Sequence, residues 1–289
     1  MKNICFSFIT FFCFSCMSLG PIKQGLQKKD LKKFISSSIQ KSELSKSIAV
    51  KVVSLDNGET LFEHNSKKLM TPASNVKLFT SAASLHYLGR EHVFETAILK
   101  SKNNIILVGG ADPDLSLKVI DSLAGLVSKD IRLIDTLFID GGLFDDRYYG
   151  KGWMWDEGSE EYSAPINALV LNNNCIDFEY SPNEIGLPAK VNIYPKTEYI
   201  TLKNKSITVK DTVNFKKLKI DRNWAEKTND YVITGEILQW SGKDTVKKNI
   251  EKPNLFFGTV FKESLESHGI TVNELFIGNT IGTMDTILI

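Results

Sequence analysis

The sequence predicts a mixed α+β protein of about two domains, and three observations predict it. A lysine-rich amphipathic stretch is followed by a hairpin pattern and then by a helix free of Gly and Pro. The middle of the chain places two β-type runs on either side of a helical one. From Asn192 to Glu236, short β-type runs alternate with polar turns. The 289 residues are 42% hydrophobic and 24% charged, which is globular composition and excludes wholesale disorder. With 35 Lys and Arg against 34 Asp and Glu, the formal charge is +1. That balance leaves no electrostatic footprint for nucleic acid, which is excluded as a partner.

Residues 1–20 read as a secretory signal. Lys2 is the only charge in them, and an apolar run from Ile4 to Phe14 follows, too short to span a bilayer comfortably. Small residues come next at Ser15, Cys16 and Ser18, and Pro21 argues against cleavage just after Gly20. Two readings stand for Cys16: a lipid-attachment site preceded by Ser15, or an incidental cysteine in an ordinary signal. Cys5, Cys13 and Cys16 belong to this segment, so Cys175 is the one internal cysteine and no internal disulfide is expected. Four scattered histidines and one internal cysteine give no zinc-site spacing.

Leu31, Phe34, Ile35 and Ile39 recur at helical spacing among Lys28, Lys29, Lys32 and Lys33, a solvated amphipathic helix. Ile48–Leu55 and Thr60–His64 flank the turn Asp56-Asn57-Gly58, a β-hairpin. Pro72 disfavours helix before it, and Asn75–Leu88 then runs through good helix formers to Gly89, a C-terminal cap. Because most faces of that helix are apolar or small, it is expected to be buried. Ile105–Val108 and Leu133–Ile139 flank a helix over Leu117–Val127, an α/β unit. Gly109-Gly110-Ala111-Asp112-Pro113-Asp114 lacks phosphate-loop spacing and reads as a turn. A helix is expected over Asn254–Gly269 and a short strand over Glu274–Ile277.

One pairing in this chain carries chemistry. Ser74 and Lys77 stand three apart at the start of a helix, which puts both side chains on one face. A serine hydroxyl is a poor nucleophile until a base takes its proton, and a lysine serves as that base when burial and the helix dipole lower its affinity for protons. The Ser74 N–H, at the helix N-terminus, can point at a developing oxyanion. Spacing alone leaves a second role open for Ser74, capping the helix with its side chain. Ser38 and Lys41 repeat the spacing, but within the lysine-rich surface helix.

With these residues in view, Pro72-Ala73-Ser74-Asn75-Val76-Lys77-Leu78-Phe79-Thr80 resembles the active-site segment of class C low-molecular-mass penicillin-binding proteins, D-alanyl-D-alanine carboxypeptidases and endopeptidases of the bacterial cell envelope. Gly109–Leu115, Gly152–Asp156, Tyr162–Leu169 and Phe257–Gly269 resemble further segments of that family in consistent order. The resemblance implies a penicillin-recognising fold, with one domain inserted after the Ser-x-x-Lys helix and another within that. It implies a periplasmic or envelope location, Ser74 as nucleophile on a peptidoglycan stem peptide, Lys77 as general base, an acyl-enzyme released by water, and β-lactams as inhibitors. It implies neither cofactor nor metal.

On that basis the chain divides into a signal at 1–20, a first part of the catalytic domain at 21–98, an inserted domain at 99–191, a small β-rich module at 192–236, and a return to the catalytic domain at 237–289. The family also carries Ser-x-Asn and Lys-Thr-Gly motifs after its inserted domains. Here Ser101-Lys102-Asn103 and Ser181-Pro182-Asn183 lie within the inserted region and read as turns. Lys196-Thr197 and Lys227-Thr228 are followed by Glu198 and Asn229, where a glycine would let substrate lie against the strand. The chain is therefore expected to stop short of those motifs, Met284–Ile289 being unlike the family through a frameshift or a truncated gene model, and to be weakly active or inactive. Two other functions compete: a non-catalytic envelope binding module, and another Ser–Lys hydrolase such as a β-lactamase or esterase. Asp112, Asp114, Asp145 and Asp146 read as solvated turn carboxylates.

Overall fold

The computed structural model describes residues 28–154, 156–211, 215–279 and 287–288. The signal segment with Cys16 lies outside these residues, as do Trp155, Met284 and Ile289. Contacts divide the chain into two compact units, one reaching Glu91 and one starting at His92.

In the first unit, α1 (Lys28–Lys41) turns Ile39 inward and leaves Phe34 exposed. Strands β1 (Val50–Val53) and β2 (Thr60–His64) pair antiparallel, with Gly58 in the left-handed region at φ +73° closing the turn. His64 and Asn65 tie the hairpin back to the α1–β1 connection through the Ser45 carbonyl. A 3-10 turn over Ala73–Asn75 leads into α2 (Val76–Tyr87). The expectation that α2 is buried is not met: none of its residues is buried, and Leu78 and Phe79 are 70% and 76% exposed. Apolar composition calls for a covering surface, and the described residues do not supply one.

The second unit continues with β3 (Ala97–Ser101), β4 (Asn104–Val108), α3 (Leu117–Val127) and β5 (Leu133–Asp140). Then come β6 (Cys175–Ser181), β7 (Lys190–Tyr194), β8 (Thr201–Asn204), β9 (Ile207–Val209), β10 (Lys219–Arg222), β11 (Asp230–Thr234), β12 (Glu236–Leu238) and β13 (Asp244–Asn249). It ends with α4 (Pro253–Ser267), β14 (Thr271–Ile277) and β15 (Ile287–Leu288). The main sheet runs β14-β5-β4-β3-β15. Strands β4, β5 and β14 are parallel, and the α/β unit expected at 105–139 is present with α3 as its crossover.

Helix α4 packs on β5, β14 and α3, so the segment read as returning to the catalytic part shares a sheet with residues 97–140 instead. The reason is packing. Phe256, Phe257, Phe261 and Leu265 all turn inward, and Gly258 lets the helix approach until a Cβ there would sit 2.8 Å from Ile139. Each fully buried aliphatic or phenyl side chain contributes about 1.5–3 kcal/mol, so this face fixes where α4 lies. Smaller sheets complete the unit: β13-β6-β7, β10-β11-β8 and β12-β9. The last two occupy the β-rich stretch read at 192–236, with β12 running past it to Leu238.

Candidate active site

The local chain before α2 is tightly bent. Ala73 holds φ at +43°, a conformation that L-residues with a Cβ seldom adopt, and Asn75 N–H donates to the Pro72 carbonyl at 2.9 Å. This bend sets Ser74 at the mouth of the helix. Lys77, one turn on, places Nζ 3.0 Å from Ser74 Oγ. Neither Pro72 nor Asn75, the residues before the 3-10 turn and α2, makes a side-chain cap. Of the two roles that spacing left open for Ser74, the observed hydrogen bond is the one to Lys77.

As an ammonium, Lys77 donates to Ser74; as a general base, the neutral amine must accept the hydroxyl proton along the same 3.0 Å line. The geometry serves both states. Both residues are exposed, so the burial expected to favour the neutral amine is absent among the described residues.

The other sequence candidates resolve into structural roles. Ser38 and Lys41 lie exposed on α1. Ser101-Lys102-Asn103 forms the tight β3–β4 turn with Lys102 at φ +56°, and Ser181-Pro182-Asn183 leaves β6 with Asn183 N–H on Thr208 Oγ1. Thr197 and the Glu198 N–H both donate to Glu263, while Lys227 is left-handed and the Thr228 carbonyl accepts from Arg222. The Gly109–Leu115 segment is a turn pressed against its neighbours: a Cβ on Gly110 would lie 1.9 Å from the Glu95 carbonyl oxygen. Asp112 accepts from the Asp114 N–H, and Asp145 from the Arg147 N–H, so both carboxylates serve their own turns. Cys175 is buried, and burial pushes its thiol up to about 12.

Sequence reasoning passed over Arg222, Trp224 and Glu251. They lie far apart in the chain from Tyr149 and Trp153, with which they line one concavity. A lone arginine in a lysine-rich β stretch gives no local sign of being buried.

An α+β fold with a Ser–Lys pair at a helix entrance has counterparts among known proteins, in fold and in sequence. The chain is similar in fold to penicillin binding protein 4 (dacB) from Haemophilus influenzae, with a TM-score of 0.68 at 22% identity, over 82% of this chain and 55% of that one. The same protein complexed with a novel β-lactam gives 0.62 at 20% identity, over 86% and 57%. In sequence it is 29% identical over 266 residues to the D-alanyl-D-alanine carboxypeptidase of Actinomadura sp. (strain R39), covering 86% of this chain and 49% of that protein. Residues 31–286 match the model of the D-Ala-D-Ala carboxypeptidase 3 (S13) family. The chain belongs to that family. It spans about half the length of the relatives it matches.

Proposed function

We propose that this chain carries the nucleophile and base of a serine-type D-Ala-D-Ala carboxypeptidase or endopeptidase of the cell envelope, exported by residues 1–20. The observation that carries the reading is the 3.0 Å contact between Lys77 Nζ and Ser74 Oγ at the bent entrance to α2. Lys77 takes the Ser74 proton as Oγ attacks the carbonyl carbon before the terminal D-alanine of a stem peptide. The C–N bond breaks, the proton passes to the departing amine, and water then hydrolyses the ester. A β-lactam presents the same carbonyl, and opening its ring leaves the acyl group on Ser74. Family membership and the relatives' printed activities support this reading.

A polypeptide of these 289 residues alone reacts slowly. Lys-Thr-Gly does not occur among them, both Ser-x-Asn tripeptides lie at turns, and Lys77 is exposed among the described residues. The loss of one oxyanion donor costs about 10²–10³ in rate. Time-resolved labelling with a fluorescent penicillin tests the proposal. Slow labelling that disappears in Ser74→Ala and falls sharply in Lys77→Ala is expected. Labelling that persists in Ser74→Ala refutes the nucleophile, and rapid labelling of the parent chain refutes the slow rate.

A further inference from the structure

The second unit holds a concavity of about 310 Å³ walled by Tyr149, Trp153 and Trp224, with Arg222 and Glu251 in its floor. It falls at the lower end of the volumes of small-molecule sites, about 300–1,000 Å³, and shares their make-up of apolar walls and a few fixed polar groups. The floor is built rather than incidental. Arg222 is 4% exposed; its Nη1 lies 3.0 Å from Glu251 Oε1, and its Nη2 donates to Asn249 Oδ1 at 2.9 Å. Its Nε is buried with no partner among the described residues. Held on Glu251 and Asn249, the Arg222 guanidinium gives the concavity a fixed polar floor rather than a mobile cation.

A second concavity of about 370 Å³ adjoins the first. Trp153, Met154, Glu157 and Ser163 line both, and Tyr162 stands over the second, 70% exposed. Two depressions sharing one wall suit a ligand with repeating units. The lining carries two cations, Arg222 and Lys227, and two anions, Glu157 and Glu251, with Arg222 paired to Glu251, so its formal charge balances and the site favours a neutral ligand over an ionic one. Vicinal hydroxyls can donate to the Glu157 and Glu251 carboxylates and accept from the arginine, while indole and phenol faces cover the C–H face of a pyranose ring.

We propose that these adjoining concavities form a saccharide site for a neutral glycan of pyranose units, with Trp153 as the platform between two rings. The site is independent of Ser74 and stands whether or not the proposed acylation does.

The test is titration of the full chain with the β-1,4-linked trimer of N-acetylglucosamine, followed by tryptophan fluorescence and calorimetry. Saturable binding in the millimolar range or tighter is expected. Trp153→Ala should weaken it about tenfold, the equivalent of one lost ring-stacking contact, Trp153→Phe should retain most of it, and Glu157→Gln should weaken it less than Trp153→Ala. Thermal melting checks that each variant is folded; if Trp153→Ala is not, the ratio between Trp153→Phe and Glu157→Gln carries the test. Absence of saturable binding at millimolar trimer overturns the proposal. So does binding unchanged by the Trp153 and Glu157 substitutions, or a sugar-free D-Ala-D-Ala peptide that binds at this site in place of the trimer.

Discussion

Helices α2 and α4 are both apolar, yet α4 buries Phe256, Phe257, Phe261 and Leu265 while α2 has no buried residue. The contrast teaches what apolar composition does and does not specify. It sets a demand for cover, and the cover must come from a particular surface. For α4 the surface is the sheet of β5 and β14, approached closely at Gly258. For α2 the described residues provide none, and the same lack leaves Lys77 exposed. Position and activation are thus separable at this site: the bend at Ala73 supplies the first, and burial would supply the second.

The contrast breaks first under truncation of a phenyl ring on each helix. Phe261→Ala should destabilise the chain by about 3–5 kcal/mol, the usual cost of emptying a packed aromatic site. Phe79→Ala, 76% exposed, should stay within about 0.5 kcal/mol. Denaturant unfolding of the two variants checks this, and a Phe79→Ala cost similar to that of Phe261→Ala would show that α2 is covered after all.

Helix capping gives a smaller effect of the same kind. Ser116 caps α3, its Oγ accepting from the Val119 N–H, whereas Asn75 at the start of α2 makes no side-chain cap. Ser116→Ala should cost about 1 kcal/mol and Asn75→Ala a few tenths. Equal costs in the same unfolding experiment would contradict the difference.

The smallest effect concerns pH. Burial holds the Glu263 carboxyl above its ordinary range, against the lowering effect of hydrogen bonds from the Glu198 N–H and Thr197. The folded chain therefore keeps this proton more tightly than the unfolded chain does. Its contribution to stability falls as pH rises from about 4.3, the ordinary glutamate value, through the raised value in the fold. Glu263→Gln lacks that fall, so the stability of the variant relative to the parent should improve from about pH 4 to pH 7. Unfolding curves at both pH values check the sign, and a relative loss would reverse it.

Local patterns were readable where they were self-contained. The helix over Leu117–Val127 and the strand over Thr60–His64 follow from periodicity and from the turn residues beside them. The Ser74–Lys77 contact was also readable, because three residues at a helix start dictate it. Long-range pairing was not. Strand β14 lies beside β5, more than a hundred residues earlier, and no feature of Thr271–Ile277 names that neighbour. Arg222 and Glu251 meet only because β10 and the segment after β13 converge beneath Tyr149. The exposure of α2 escapes the sequence for the same reason: an apolar face is visible there, and what lies against it is not.

Acylation at Ser74 is the chemistry on which the proposed function turns. The direct measurement is peptide mapping by mass spectrometry after prolonged incubation with a penicillin. The expected result is an adduct that accumulates slowly on the tryptic peptide Leu69–Lys77 and is lost in Ser74→Ala. An adduct on any other peptide, or one undiminished by that substitution, would contradict it.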